Sequence, residues 1–285
     1  MKHILINSHV HSTGSDGKLA PEDMVKEAIA AGISYICFCD HYKRPEAFRK
    51  LSSHHGPFNY EFDYGAYVNE IRGLQKKYKD KIEISLGTEM DWLEGYEEWT
   101  ANEIKDHKKL YDQIIGSVHY VLFGKEYLSI NTTPEKWMEI ANGIGMKEFV
   151  GKYYHLLRVM IKSNFFTCLG HLDMVKIYNK DSRLFNEQDE WYKKEVLKTL
   201  DEAAKAKICI EINTHGFKKD VGAQYPSEWI LKEMKKRNIP ITISSDAHRT
   251  GEINDKLIEA FALARKAGYK SIMKFKDRKM IEVKI

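Results

Sequence analysis

Seven short apolar runs punctuate the chain: HILINS, SYICFCD, KIEISLGTE, YDQIIGSVHY, NFFTCLGH, KICIEINT and IPITISSD. Each is short, with β-branched or aromatic residues among its apolar positions, and so predicts a strand. Between them lie stretches whose apolar residues recur three and four apart. PEDMVKEAIAAG is one, with Pro21 at the favoured first turn and Gly32 at the end. DYGAYVNEIRGLQKKY, WTANEIKDHKKLY, KEFVGKYYHLLRVMIKS, NEQDEWYKKEVLKTLDEAAKA, PSEWILKEMKKRN and NDKLIEAFALARKAG predict further helices.

Repeated strand–helix order implies a parallel sheet with helical crossovers. Seven such units fit a closed barrel better than an open sheet. The tail YKSIMKFKDRKMIEVKI reads as a terminal strand or a hairpin turning at KDRK. Two stretches, KRPEAFRKLSSHHGPFNYEF and VLFGKEYLSINTTPEKW, exceed an ordinary strand-to-helix loop and are expected to form lids or pocket walls.

Composition narrows this picture. No linker or composition break interrupts the 285 residues, so one domain spanning 1–285 is expected. No apolar run approaches the roughly 20 residues needed to cross a bilayer, and the first one is too short for a signal peptide. The formal charge of +4 is mild, and the basic residues are scattered through segments such as LKEMKKRN. Solvated helix faces explain them better than a nucleic-acid patch. Cys37, Cys39, Cys168 and Cys209 all sit in apolar runs, as packed thiols rather than a disulfide framework, which suits a reducing, cytoplasmic setting. Whether the chain is a monomer or a homodimer stays open.

The chemistry lies at the strand ends. The first run delivers His9 and His11, with Asp16 close behind; the second, Asp40 and His41; the third, Glu89 and Asp91. The fourth delivers His119, the fifth His171 and Asp173, the sixth Glu211 and His215, and the seventh Asp246 and His248. Of 12 histidines, only His3, His54, His55, His107 and His155 lie elsewhere. In a parallel barrel all strand C-termini open on one face, so these residues would converge on one pit. In HVH, the spacing of two aims both rings the same way. Imidazole and carboxylate without thiolate suit Zn²⁺, Mn²⁺ or Fe²⁺. So many donors exceed the needs of one ion and imply two or three, bridged by a carboxylate.

The ordered set HVHSTGSDG, CDHY, GTEMDW, GSVHYV, GHLDMVK, EINTHGFKK and SSDAH resembles the PHP-domain (polymerase and histidinol phosphatase) phosphoesterases, and among them the monofunctional histidinol-phosphatase branch. The resemblance implies a distorted (β/α)7 TIM-like barrel with a trinuclear site. It would place the first ion on His9, His11, Glu89 and Asp246; the second on bridging Glu89, His119 and His171; the third on Asp16, His41 and His248. Some relatives carry a histidine where this chain has Asp16. The implied reaction converts L-histidinol phosphate to L-histidinol and phosphate in histidine biosynthesis. A hydroxide bridging two ions would attack phosphorus in line, with Asp246, His248 or a water protonating the leaving group. Counting only Glu89, Asp16 and Asp246 against three divalent ions leaves a strongly positive pit, suited to a small phosphate monoester dianion.

Further residues carry expectations. Arg158 stands alone on an otherwise apolar helix and Lys218 follows EINTHGF, where the family more often has arginine; both are candidates to hold phosphate, against a surface or salt-bridging role. Asp40, Asp91 and Asp173 are expected to accept the second N–H of ligating imidazoles, or to meet the substrate's amine or imidazole. His215 is a pocket or loop residue. Tyr42, Trp92, Tyr120 and Tyr178 are expected in walls or packing. The alternatives are a PHP phosphoesterase acting on nucleotides, nucleic acid or phosphoprotein, and a metal-binding PHP module without turnover.

Overall fold

The computed structural model describes residues 4–51 and 63–285. In chain order the first half holds β1 (Leu5–Val10), α1 (Pro21–Ala30), β2 (Ile33–Phe38), α2 (Glu46–Leu51), α3 (Tyr64–Lys77), β3 (Glu83–Asp91), α4 (Glu97–His107), β4 (Gln113–Ser117), β5 (Tyr120–Phe123) and β6 (Glu126–Ser129). The second half holds α5 (Pro134–Ile144), α6 (Met146–Ser163), β7 (Cys168–Leu169), α7 (Glu190–Ala206), β8 (Cys209–Asn213), α8 (Glu228–Lys236), β9 (Ile241–Ser244), α9 (Leu257–Lys266), β10 (Ser271–Lys276) and β11 (Lys279–Lys284).

All seven predicted runs are strands of one parallel sheet, in the order β1-β2-β3-β4-β7-β8-β9. Their residues are buried almost throughout, as expected for strands covered on both faces. The sheet curls into a nearly closed barrel ringed by helices. Between β1 and β9 the seam is held at its C-terminal end. The His11 N–H donates to the Ala247 carbonyl at 2.9 Å and the Asp246 N–H to the His9 carbonyl at 3.0 Å. Lower down, Asn7 donates to Ser245 Oγ at 2.7 Å, and the Ser8 and Thr242 hydroxyls meet at 2.5 Å. The seam is therefore joined most firmly where the candidate ligands emerge.

Two of the sequence expectations need adjustment. VLFGKEYLSINTTPEKW is not an irregular loop: it forms the β5–β6 hairpin, turning at Gly124 with φ +60°, and enters α5. Thr133 caps that helix by accepting from the Lys136 N–H at 3.3 Å, with Pro134 following. The tail is the hairpin β10–β11, turning at Asp277–Arg278 as its sequence suggests. The other long stretch, with His54 and His55, runs largely outside the described residues, as does His3. No helix among the described residues is long and apolar enough to cross a membrane.

Candidate metal centre

At the end of β1, His9 and, just past it, His11 share one face of the strand and turn into the barrel mouth, both fully buried. Their Nε2 atoms lie 2.9 Å apart. His9 Nδ1 meets Glu211 Oε2 at 3.0 Å and donates to it, which leaves Nε2 as the nitrogen facing the mouth. Across the mouth, the Nε2 atoms of His119 and His171 are 3.1 Å apart. His119 Nδ1 donates to Asp91 Oδ1 at 2.7 Å, so its Nε2 likewise faces the mouth.

Glu89, from β3, stands between the two pairs. Its Oε1 is 3.1 Å from His171 Nε2 and 3.6 Å from His119 Nε2. Its Oε2 is 3.0 Å from His41 Nδ1 and 3.6 Å from the Nε2 atoms of both His9 and His11. Asp246 Oδ1 lies 3.1 Å from His11 Nε2. Asp16 closes the third corner, 3.3 Å from His248 Nε2, 3.6 Å from His11 Nδ1 and 3.8 Å from His41 Nε2. Gly17 allows this approach, because a Cβ there would strike the backbone of His11 and Ser12.

Imidazole nitrogens about 3 Å apart need a shared proton or a metal cation between them. Two ligand atoms bound to one ion at about 2.1 Å stand that far apart. The donor set thus fits divalent cations. Three four-atom or three-atom groupings overlap here: His11, Asp16, His41 and His248; His9, His11 and Glu89; His41, Glu89 and His119. His215 with Asp246 and His248 makes a further one.

The electrostatics show how much negative charge is stored. Burial opposes ionisation of Glu89, yet His119, His41 and His9 hold its carboxyl well below the usual range. Burial likewise opposes charge on His9, but Glu211, Asp246 and Glu89 raise its pKa well above normal. His11 goes the other way: burial and the neighbouring His248 and His41 push it down. Asp246 adopts a left-handed backbone, φ +51°, rare for a non-glycine residue. Its carbonyl receives both the His248 ring at 2.8 Å and the His215 ring at 3.1 Å through Nδ1.

The pocket above these groups encloses about 380 Å³. His215 and Lys218 line it, as do Lys219, Arg249, Glu252 and an apolar wall of Met174, Ile177 and Tyr225. Asp91 takes its expected place on His119. Three other expectations are corrected. Arg158 does not face the pocket: α6 packs on α7, and its guanidinium meets Glu195 at 2.8 Å and Thr199 Oγ1 at 3.1 Å. No imidazole among the described residues meets Asp40; it accepts from the Ser12 N–H at 2.7 Å, the Ser12 and Ser15 hydroxyls at 2.8 Å, and the Tyr67 hydroxyl, and so shapes the loop that carries Asp16. Asp173 pairs with buried Lys176 at 2.8 Å and accepts the Ser227 N–H at 2.9 Å. Lys218 reaches the pocket but lies 3.5 Å from both Glu252 and Asp255.

Two residues went unassigned in the sequence. Glu211 lies in the middle of the sixth strand, β8, and its role as the partner of His9 depends on the barrel's closure. Arg44 is buried between the rings of Tyr120 and Phe48 and bonded to Asp91. No periodicity marks it. With Glu211 and Asp91 included, the mouth holds more negative charge than the sequence count allowed.

A nearly closed seven-stranded barrel with imidazole and carboxylate groups gathered at its C-terminal mouth defines the class: the chain belongs to the PHP-domain family, whose model matches residues 7–215. The histidinol-phosphatase of Bacillus subtilis (strain 168) is 25% identical over 258 residues, covering 87% of this chain and 94% of its own. The crystal structure of histidinol phosphate phosphatase from Lactococcus lactis subsp. lactis Il1403, complexed with zinc, L-histidinol and phosphate, is 23% identical. It shares the fold with a TM-score of 0.78, over 97% of this chain and 98% of its own. A structure from Listeria monocytogenes, 21% identical, gives a TM-score of 0.82 over 89% of this chain and 99% of its own.

Proposed function

We propose that this protein is a metal-dependent phosphomonoesterase that hydrolyses L-histidinol phosphate to L-histidinol and phosphate, as part of histidine biosynthesis. The observation that carries the reading is the convergence on Glu89 of His9, His11, His41, His119 and His171, residues contributed by four other strands, β1, β2, β4 and β7. The names of the relatives, and the zinc, histidinol and phosphate in the Lactococcus lactis structure, support the substrate.

His9, His11, Glu89 and Asp246 would hold a first ion, Glu89 with His119 and His171 a second, and Asp16, His41 and His248 a third. Zinc, manganese or iron suits these donors. When bound, such ions acidify water and offset charge on phosphate oxygens.

The chain's own groups do the rest. Glu211 and Asp91 hold Nδ1 of His9 and His119, so each ring offers Nε2 to an ion once loading has released any second proton. Met174, Ile177 and Tyr225 give the organic part of a monoester an apolar wall that excludes water. Water adds to phosphorus, the ester P–O bond breaks, and the departing alkoxide takes a proton on the Asp246–His248 side of the mouth. A phosphate-release assay on L-histidinol phosphate, with nucleotides as comparison, tests the reading. His9→Ala should lose metal and turnover while keeping its far-ultraviolet circular dichroism. Normal turnover by that variant refutes the site, and preference for nucleotides refutes the substrate.

A further inference from the structure

We propose that His215 is a further metal-holding residue, and that with Asp246 and His248 it makes a second position for the third ion, at the lip of the pocket. The inference rests on the metal-centre part of the phosphomonoesterase reading and deepens it. His215 comes from the turn after β8, the other two from the segment after β9. Each of the three offers a ligand atom, and those atoms lie within 4.8 Å of one another. All three line the pocket.

The His215 ring is anchored as its neighbour is. His248 Nδ1 donates to the Asp246 carbonyl at 2.8 Å, and His215 Nδ1 donates to that same carbonyl at 3.1 Å. A metal-bound imidazole usually passes its other N–H to a carbonyl or carboxylate in this way, which leaves Nε2 as the ligand. His248 Nε2 faces Asp16 Oδ1 at 3.3 Å. His215 Nε2 has no hydrogen-bond partner among the described residues. A carbonyl anchor alone does not make a ligand. His107 Nδ1 lies 3.1 Å from the Glu103 carbonyl, yet no ligand grouping among the described residues includes it. What sets His215 apart is its company.

Asn213 holds that company together. Its Oδ1 accepts the His215 N–H at 2.9 Å, and its amide donates to Asp246 Oδ2 at 3.1 Å. Asp246 keeps its left-handed backbone, φ +51°, where its carbonyl serves both rings. The lip position and the inner one on Asp16 and His41 share His248, and a single Nε2 serves one ion at a time. The two positions are therefore alternatives for one ion. Asp246 can take part in the lip position while holding the first ion, because a carboxylate bridges.

Titration of chelator-treated protein with cobalt(II), followed by visible absorption and elemental analysis, tests this without turnover. The parent should take three ions. Asp16→Ala removes the inner position and should still take a third, held roughly 10- to 100-fold more weakly, the range for loss of a group that supports a metal centre. Asp16→Ala combined with His215→Ala should stop at two. His215→Phe in place of His215→Ala keeps a ring without its nitrogens, and gives the same reading should the smaller side chain unsettle the turn. A parent or an Asp16→Ala protein that stops at two ions, or a double variant that holds the third as tightly as Asp16→Ala does, overturns the lip position. Failure of the substrate reading would show separately, as a parent protein that loads three ions but leaves histidinol phosphate intact.

Discussion

His9 and Glu211, 202 positions apart in sequence, meet at 3.0 Å between Nδ1 and Oε2, and neither is exposed to solvent. Glu211 also accepts from the His171 N–H, the Ser244 hydroxyl and the Asn213 amide, each at 2.8 Å. It is therefore a fixed acceptor that dictates which nitrogen of His9 carries the proton. Glu211→Gln keeps the shape and removes that certainty. An amide nitrogen turned towards His9 makes Nδ1 accept, and moves the proton onto the Nε2 that faces His11. Partners of metal-bound histidines are typically worth 10- to 100-fold in affinity. The variant should lose roughly that much, measured by competition with a chromophoric chelator; unchanged metal affinity would remove Glu211 from the design.

Metal removal should make stability depend on pH in a particular direction. In the metal-free protein, burial disfavours charge on His9, His41, His171 and His248, but the neighbouring carboxylates win and raise all four. His248 is pushed up to about 9. A group whose folded pKa is raised stabilises below its unfolded pKa, near 6.5, and loses that contribution as pH rises through the folded value. His11 and His215 are lowered, mainly by burial, and act oppositely below about pH 6.5, His215 down to about pH 4. Chelator-treated protein should therefore lose thermal stability between about pH 6.5 and 9, with His248 alone contributing of the order of 3 kcal/mol. Metal-loaded protein should not, because bound ions require unprotonated imidazoles. Melting curves across that range, with and without metal, decide it; parallel curves would mean the imidazoles do not share ions.

Arg44 is a structural cation that the metal centre depends on indirectly. It bonds Asp91, which in turn holds the His119 ring. Burial opposes charge on Asp91, yet Arg44 and His119 hold its carboxyl well below the usual range. Arg44→Met leaves that buried carboxylate with one partner. Breaking a buried pair from one side costs about 3–5 kcal/mol. The denaturation midpoint should drop accordingly, and metal should be lost first from the His119–His171 side. A variant as stable as the parent would show that Asp91 is neutral, contrary to this account.

The sequence was most legible where the signal is local. Seven apolar runs are bounded by their own residues, and each ends in the group that the barrel then brings to one mouth. That is a consequence of parallel strands, so naming the strands nearly names the site. The partners of those groups were harder to read. Asp40, Asp91 and Asp173 occupy equivalent-looking positions, but among the described residues only Asp91 takes an imidazole. Asp40 is captured by Ser12 and Ser15, and Asp173 by Lys176, through distances set by barrel curvature rather than by spacing. Glu211 shows the reverse: a carboxylate of the sixth run, given no particular role by the sequence, that closure carries to His9. The β5–β6 hairpin escaped notice because four-residue strands leave too little alternation to distinguish them from loop.

Arg158 illustrates the same limit and gives a sharp test. A guanidinium on an apolar helix face wants an anion, and the sequence offered phosphate as that anion. The fold supplies Glu195 instead, 37 positions away on α7, at 2.8 Å, together with the Glu195 carbonyl and Thr199. Burial disfavours charge on Glu195, but Lys198 and Arg158 still keep its carboxyl below normal. Arg158→Met should therefore act on stability alone, lowering it by about 1–2 kcal/mol, discounted for the partial exposure of the pair. The affinity for inorganic phosphate and the KM for the monoester should stay within about twofold of the parent. A large rise in KM at unchanged stability would put Arg158 back at the substrate and would require α6 to turn relative to α7.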